Sequence, residues 1–338
     1  MSPLTPEGAL EQVALAGIHR LQIPTPFAVG RVNCYLIEDE PLTLVDTGPN
    51  SGKALDELQG QLAARGHSID DLELVIVTHQ HIDHLGLVEI VVEHSGAEVA
   101  ALGLAAERLA NFDQDAERED AFAVELMLRN GIPQEVAFAL QSVSRSFRGW
   151  GSKAEVTRPL ADGEEIAFRD RTLQALHRPG HSPSDTVFWD EQRRILVAAD
   201  HLIAHISSNP LIARPLDGSP ERTQALVTYI ESMKATREMP AEIVLSGHGE
   251  PIVDHVALID DRLAKHRRRK EKIYALIAER PRSGHEIAQA IWGDVAVTQA
   301  FLTLSEVIGH ADLLVNEGRV REVDDGEVIR YEATENSS

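Results

Sequence analysis

Four side chains that can bind a metal ion fall within six residues of one another. The segment reads Thr78-His79-Gln80-His81-Ile82-Asp83-His84. It follows an apolar run at residues 74–77, which predicts a strand that ends where the segment begins. His79 and His81 are two residues apart, so both can point toward one ion from an extended loop, while Asp83 and His84 can face a second ion where the chain turns into a helix. Packing does not explain this spacing, so we interpret the segment as the centre of a metal site.

Three further ligand candidates each lie at the end of a strand-like segment. They are His181 in Pro179-Gly180-His181, Asp200 in Ala199-Asp200, and His248 in Gly247-His248-Gly249. All three are compatible with one rim of a sheet. Glycines beside His181 and His248 permit tight turns and a close approach of the backbone to a buried ion. With the first segment, they make a set of seven candidate ligands.

The elements that must position these residues alternate between strand and helix. Strands are predicted at residues 18–23, 32–38, 42–46, 74–77, 98–102, 164–168, 172–176, 186–189, 195–198 and 243–245, and helices at 51–65, 85–93 and 219–236. Residues from about 105 to 150 have a helical pattern without strand signals, which predicts a helical insertion. The sequence therefore predicts an α/β protein with two mixed halves.

The C-terminal part has a different pattern. A long helix is predicted beyond His255, followed by helices at residues 283–291 and 297–317 and a β-ribbon at 319–331 that turns at Asp325-Gly326. This order is typical of a winged helix. We therefore predict a catalytic domain over residues 1–261 and a winged-helix-like domain over residues 262–338.

The net charge of −22 is unevenly distributed. Residues 262–338 hold 12 Lys+Arg and 13 Asp+Glu, which leaves −21 on residues 1–261. Such a field repels polyanions at long range and disfavours nucleic acid as a partner. The basic run at 265–272 could contact phosphates, although on a helix it favours a solvated face.

The rest of the composition indicates a folded protein that does not enter a membrane. Apolar residues make up 43% of the 338 positions, enough for a large core. No apolar run approaches the roughly 18 residues that span a bilayer, and the N-terminus lacks the pattern of a signal peptide. Cys34 is the single cysteine, so no internal disulfide can form. We expect a cytoplasmic location.

Over residues of about 18–255, the motifs resemble those of the metallo-β-lactamase superfamily. The matching residues are Asp46 in Leu-Val-Asp-Thr-Gly, the segment from His79 to His84, His181, Asp200 and His248. The resemblance implies an αββα sandwich, here with a helical insertion. It also implies two metal ions: the first held by His79, His81 and His181, the second by Asp83, His84 and His248, with Asp200 bridging them. Asp46 would accept a hydrogen bond from a ligand histidine and fix its tautomer.

The aspartate at position 200 separates this chain from the antibiotic-degrading lactamases, which lack such a bridge. It is similar to glyoxalase II and to acyl-homoserine lactone lactonases. The C-terminal part, best at residues 300–330, resembles a further group in which a winged helix follows the metallo-β-lactamase domain. That group includes a mitochondrial endoribonuclease, so the resemblance keeps two substrate classes open.

A dinuclear site implies a mechanism. Two divalent ions bring the pKa of bound water from about 15.7 toward 7, and the resulting metal-bridging hydroxide would attack the substrate. Asp83 would act as the catalytic group that orients this nucleophile and passes a proton to the leaving group. Histidine and carboxylate ligands suit zinc and are compatible with iron or manganese.

The leading functional hypothesis is hydrolysis of a thioester, ester or lactone with a small acyl group. The alternatives are an endoribonuclease that uses the same metals and a winged-helix DNA-binding regulator whose metal domain senses a ligand. The charge distribution favours the first. The winged helix could serve to form a homodimer or to cover the active site.

Several other polar and aromatic residues are weaker candidates for a functional role. His201, His205, Ser208 and Asn209 could line the substrate pocket or make ordinary hydrogen bonds, and His177 is not expected to bind metal. The aromatic residues of the insertion could form an apolar pocket wall or pack their own helices. The histidines expected to have no special role are His19, His67, His94, His255, His266, His285 and His310.

Overall fold

Two β-sheets lie face to face at the centre of the molecule. The computed structural model describes residues 4–219, 221–324 and 326–334. The first sheet contains six strands in chain order: β1 (Ile18–Ile23), β2 (Val32–Ile37), β3 (Thr43–Val45), β4 (Leu74–Ile76), β5 (Glu98–Leu102) and β6 (Arg158–Leu160). Strands β1 to β3 pair antiparallel, and β3 to β6 pair parallel. Strands β1 to β3 correspond to the strands predicted at residues 18–23, 32–38 and 42–46.

The second sheet contains five strands and runs in the order β11-β10-β9-β8-β7. Its strands are β7 (Glu165–Ala167), β8 (Thr172–His177), β9 (Thr186–Asp190), β10 (Ile195–Ala199) and β11 (Ile243–Ser246). The pair β10 and β11 is parallel, whereas the other pairs are antiparallel. Side chains from both sheets, among them Tyr35, Ile76, Phe188 and Leu245, form one buried core between the sheets.

Helices cover the outer faces of both sheets. The helices of the described residues are, in chain order, α1 (Pro6–Leu15), α2 (Gly52–Ala63), α3 (Ile82–Leu85), α4 (Val88–Ser95), α5 (Ala106–Ala110), α6 (Phe112–Arg129), α7 (Gln134–Phe147), α8 (Ala225–Arg237), α9 (His255–Glu279), α10 (Gly284–Trp292), α11 (Val295–Thr298) and α12 (Ala300–Asn316). Leu58 of α2 and Val91 of α4 pack on the first sheet, and Tyr229 of α8 and Ile259 of α9 pack on the second. The layers are therefore helix, sheet, sheet, helix, and the predicted α/β sandwich is confirmed.

The predicted helical insertion is formed by α5, α6 and α7. Its apolar side chains pack in two directions. Phe112 contacts the core of the first sheet, whereas Phe122 and Met127 pack with Leu304 and Ile308 of α12. Most of these side chains therefore hold helices together rather than lining an open cavity.

The C-terminal residues form a third, three-stranded sheet and several helices. The strands are β12 (Arg282–Ser283), β13 (Val320–Asp324) and β14 (Ile329–Ala333), in the order β12-β14-β13. Ile273, Ile287, Val307 and Tyr331 form a separate core between this sheet and its helices. The predicted β-ribbon is present, and Asp325 in its turn lies outside the described residues. Helix α9 continues without a break through the predicted domain boundary at residues 261 and 262.

Several predicted helix ends were wrong. The helix predicted at 219–236 begins only at Ala225. The one predicted at 297–317 is divided into α11 and α12, because Gln299 leaves the helical conformation with φ −124° and ψ 43°. Helix α1 and strand β6 were not predicted. Over the described residues, no helix is both long enough and apolar enough to cross a membrane.

Candidate metal centre

The seven candidate ligands converge at one rim of the sandwich because they follow strands of both sheets. His79 lies three residues after β4, and Asp200 follows β10 directly. His181 and His248 lie in the short turns that follow β8 and β11. Strands β3, β4, β10 and β11 belong to parallel pairs, so their carboxyl ends lie at a common edge. The topology thus brings residues that are more than 160 positions apart in the sequence to one place.

The first group consists of His79, His81 and His181. The Nδ1 atom of His81 lies 3.0 Å from Nε2 of His79 and 2.9 Å from Nε2 of His181. One nitrogen of each ring therefore points into a common space, as ligands of one ion do.

The second group consists of Asp83, His84 and His248. Asp83 and His84 belong to the short helix α3, which turns both side chains inward, and both are buried. Asp83 Oδ2 lies 3.3 Å from Nε2 of His248. The ligand atoms of the three residues lie within 4.8 Å of one another, so they could hold a second ion.

Asp200 lies between the two groups. Its Oδ1 is 3.4 Å from Nε2 of His84, and its Oδ2 is 3.5 Å from Nε2 of His181 and 3.6 Å from Nε2 of His248. The two oxygens of one carboxylate therefore face members of both groups. A carboxylate in this position could contact an ion held by either group.

Asp46 organises the cluster from behind. The Nδ1–H of His84 donates to Asp46 Oδ2 at 2.7 Å, which makes Nε2 the atom of His84 that faces Asp200. The backbone N–H and the hydroxyl of Thr78 also donate to the Asp46 carboxylate, at 2.9 and 2.8 Å. The Thr78 hydroxyl in turn accepts from Nδ1 of His79 at 3.0 Å. Asp46 thus sets the tautomer of His84 directly and that of His79 through Thr78. No role for Thr78 was predicted from the sequence.

Backbone carbonyl groups orient two more histidines. Nδ1–H of His248 donates to the carbonyl of Arg31 at 2.9 Å, and Nδ1–H of His181 donates to the carbonyl of Asn209 at 3.2 Å. In each ring, the hydrogen bond leaves Nε2 as the atom that faces the cluster. Sequence reasoning missed both partners, because every residue has a carbonyl group.

Electrostatics in the cluster favour a bound cation. Burial lowers the pKa of His79 well below its ordinary value and that of His81 to about 3, so both rings are neutral. Burial also acts to lower the pKa of His84, but the carboxylates of Asp200 and Asp46 outweigh it and raise that pKa. For Asp200, burial acts to raise the pKa, but His84 outweighs it and the carboxyl stays ionised. The buried carboxylates of Asp46 and Asp200 therefore favour the binding of a cation.

Two observations show that the site fits metal ions. Nε2 of His84 and Oδ1 of Asp200 are buried without a hydrogen-bond partner among the described residues, which is costly unless another group binds them. In addition, Gly247 leaves just enough room for the Asp200 carboxylate, since a Cβ atom at that position would lie 2.2 Å from Oδ1. The space beside Gly247 therefore holds a carboxylate oxygen of Asp200 that has no hydrogen-bond partner among the described residues and could bind a metal ion.

The weaker candidates mostly have hydrogen-bonding roles. His201 is buried, and its Nε2 pairs with the hydroxyl of Thr236 at 2.9 Å. Ser208 donates to the backbone carbonyl of Asp200 at 2.5 Å. His177 donates to the carbonyl of Pro183 at 2.9 Å instead of joining the cluster. His205 packs against the turn after His248, where its ring would lie 2.6 Å from a Cβ atom at position 249.

Comparisons with known proteins agree with this geometry. Residues 28–248 match the model of the metallo-beta-lactamase superfamily. The chain is 32% identical to a probable metallo-hydrolase, YqjP, of Bacillus subtilis over 92% of this chain and 96% of that protein. It is 27% identical to an acyl-coenzyme A thioesterase of Bos taurus, over 50% of this chain and 58% of that protein.

A solved structure gives the same result at the level of the fold. The crystal structure of a metallo-beta-lactamase family protein from Thermus thermophilus superposes with a TM-score of 0.78 at 25% identity. The match covers 95% of this chain and 100% of that one, so the similarity extends into the C-terminal residues. The chain therefore belongs to the metallo-β-lactamase superfamily and is a hydrolase of that fold.

Proposed function

We propose that the protein uses two divalent metal ions to hydrolyse a thioester, ester or lactone with a small acyl group. The observation that supports this most is the position of Asp200, whose two oxygens face both groups of candidate ligands. His79, His81 and His181 would bind one ion, and Asp83, His84 and His248 the other. Zinc suits this set of nitrogen and oxygen donors, which also accepts iron or manganese.

When bound, such ions lower the pKa of water toward 7 and polarise the oxygen of the scissile group. The side chains of the chain do the rest. We assign the proton transfer to Asp83, whose Oδ2 faces His248. It is the carboxylate of the second group, so it can accept a proton from the attacking water and return it to the leaving group. Asp46 and Thr78 keep His84 and His79 in the tautomers that leave Nε2 available.

The charge distribution supports a small acyl substrate over a nucleic acid. Residues 1–261 carry −21, and two divalent ions add only about +4. A polyanion would have to approach against this field, and proteins that bind nucleic acid gain most of their non-specific affinity from neutralising phosphates. The similarity to an acyl-coenzyme A thioesterase points the same way.

An aromatic pair that includes a residue of the loop before β2 is our candidate for contact with the acyl group. The rings of Phe27 and Phe147 lie 5.5 Å apart and are half-buried. Phe27 is on the loop before β2, and the same loop supplies the Arg31 carbonyl that orients His248. An acyl group bound between these rings would lie beside the loop whose Arg31 carbonyl orients the candidate metal ligand His248.

We further propose that residues 262–338 are a winged-helix-like domain that is auxiliary to the chemistry. Helices α10 and α12 with the ribbon β13 and β14 have the order of such a domain. None of the seven candidate ligands lies beyond His248. This part could instead form the contact between two copies of the chain.

A substrate panel tests the proposal. Metal-loaded protein would be given acyl thioesters of graded length, lactones and simple esters beside RNA and DNA, at near-physiological salt. We expect a thioester or lactone to be hydrolysed with kcat/KM above about 10³ M⁻¹s⁻¹, at the low side of the enzyme range, and RNA to be cut slowly if at all.

Two variants connect the activity with the cluster. Asp200→Ala should abolish turnover, whereas Asp113→Ala, at an exposed position of α6, should leave it unchanged. Efficient RNA cleavage that Asp200→Ala abolishes, without hydrolysis of any acyl substrate, would replace the proposal with the endoribonuclease alternative. Full activity of the Asp200→Ala variant would contradict the dinuclear site.

A further inference from the structure

Three ligand-type side chains converge between α9 and α12, away from the candidate metal centre. His266 lies on α9, and Glu306 and His310 lie one turn apart on α12, so they share one face of that helix. One ligand atom from each of the three lies within 4.8 Å of the other two. Neither histidine was expected from the sequence to have a special role, because 44 residues separate them.

Hydrogen bonding prepares His310 as a ligand. Its Nδ1–H donates to the backbone carbonyl of Glu306 at 2.7 Å, so Nε2 carries the lone pair. That Nε2 lies 3.3 Å from Nδ1 of His266. In the candidate metal centre, His181 and His248 also donate Nδ1–H to a backbone carbonyl and present Nε2. The arrangement at His310 is thus the one by which this chain already orients two candidate ligands.

The separation of the two rings fits shared ligation. A hydrogen bond from nitrogen is typically about 2.9–3.0 Å long, so 3.3 Å is long for a direct contact between the rings. Two nitrogens that each lie about 2.0–2.1 Å from a tetrahedral zinc ion are about 3.3 Å apart. Both rings are buried, and burial lowers the pKa of each to about 4, so they are neutral at pH 7, as metal ligands must be.

Among the described residues, the Glu306 carboxylate has only long ion-pair contacts and accepts no hydrogen bond. Its carboxylate is 3.9 Å from the guanidinium of Arg269, which is too long for a hydrogen bond, and that guanidinium lies over the ring of Trp292 at 4.8 Å. Arg262, one turn before His266, points its guanidinium to backbone carbonyls of the segment after Asp200. A cation bound by the three side chains would therefore satisfy the carboxylate.

We propose that His266, Glu306 and His310 bind one divalent transition-metal ion of the zinc type, separate from the candidate metal centre. Two histidines and a glutamate are a known three-ligand set for zinc, with a fourth position left for water. The ion would join α9 to α12. Since α9 also carries Arg262, which holds the segment after Asp200, the ion would stabilise the packing of the C-terminal residues against the catalytic part.

Equilibrium dialysis of the full chain tests this proposal. Metal would be removed with a chelator, the protein dialysed against zinc or cobalt at micromolar concentration, and the ions per chain counted by elemental analysis. His266→Gln and Glu306→Gln should each bind one ion fewer than the wild type. His255→Gln is the matched control, because His255 is another buried histidine of α9 that donates to a carbonyl, that of Met239.

The difference between variant and wild type does not depend on how many ions the candidate metal centre takes, so the two proposals are tested separately. Zinc should also raise the Tm of the wild type by more than that of either ligand variant, and circular dichroism would verify the fold. If His266→Gln does not fold, the ion count of Glu306→Gln, which changes a half-buried position, tests the proposal instead. Equal ion counts in a folded ligand variant and the wild type would overturn the proposal.

Discussion

Gly247 offers a test of the metal centre that changes no candidate ligand. Its φ is not in the left-handed region, so alanine can adopt the same backbone conformation, and the added Cβ is the main perturbation. That Cβ would lie 2.2 Å from Oδ1 of Asp200 and 2.9 Å from Cε1 of His84. Since carbon and oxygen that are not bonded stay more than about 3 Å apart, the carboxylate must move by roughly 1 Å.

A ligand displaced by that amount can no longer serve two ions. A misplacement of about 1 Å costs on the order of 100-fold in rate, and we expect Gly247→Ala to lower kcat/KM by at least that factor. The assay is turnover of the best acyl substrate, together with metal content and circular dichroism.

Gly60→Ala is the control, since Gly60 lies inside α2 with nothing within 4 Å of the added Cβ. It should keep full activity and stabilise the protein by roughly 0.5–1 kcal/mol, as alanine in a helix does. A Gly247→Ala variant with wild-type metal content and turnover would refute the argument that the space at this position is reserved for Asp200.

Three further predictions concern the metal centre and the stability of the fold. Asn at position 46 has the shape of Asp and tolerates its φ of 57°, but it is a weaker hydrogen-bond acceptor for His84. We therefore expect Asp46→Asn to raise the metal dissociation constant, measured by competition with a chelator, about 10–100-fold. An unchanged constant would contradict the role of Asp46. Arg171 and Asp39 form a buried ion pair whose side chains are 3% and 1% exposed, so Arg171→Ala should lower the free energy of unfolding, measured in urea, by about 3–5 kcal/mol. Arg321→Ala, at an exposed ion pair, should lower it by less than about 1 kcal/mol. Equal losses of stability in the two variants would contradict this prediction. Removing metal with a chelator should abolish turnover and lower Tm, and zinc should restore both; a chelated protein that stays active would count against metal dependence.

Local patterns were sufficient to predict most of the catalytic part. The segment from His79 to His84 was recognisable because its spacing has no explanation in packing, and His181, Asp200 and His248 because each follows a strand-like run. Strand periodicity gave β1, β5 and β8 within one residue of the observed bounds. These features depend on residues that are close in the sequence.

Features that depend on distant residues could not be predicted. The carbonyl groups of Arg31 and Asn209 orient His248 and His181, but a carbonyl has no sequence signature. Gly309 allows α12 to pack against α8, where an added Cβ would lie 2.7 Å from Leu226, and nothing near either residue indicates this contact. The same limitation applies to helix ends such as the break between α11 and α12 at Gln299.

Anomalous X-ray diffraction at the zinc edge would show whether two metal ions share Asp200. Crystals of the zinc-loaded full chain should show two anomalous peaks at this site, about 3.5–4 Å apart, as in other two-metal sites. One peak should contact His79, His81 and His181 and the other Asp83, His84 and His248, with an oxygen of Asp200 at each. A single peak at this site in fully active protein, or two peaks with Asp200 bound to only one of them, would show that Asp200 does not bridge two ions.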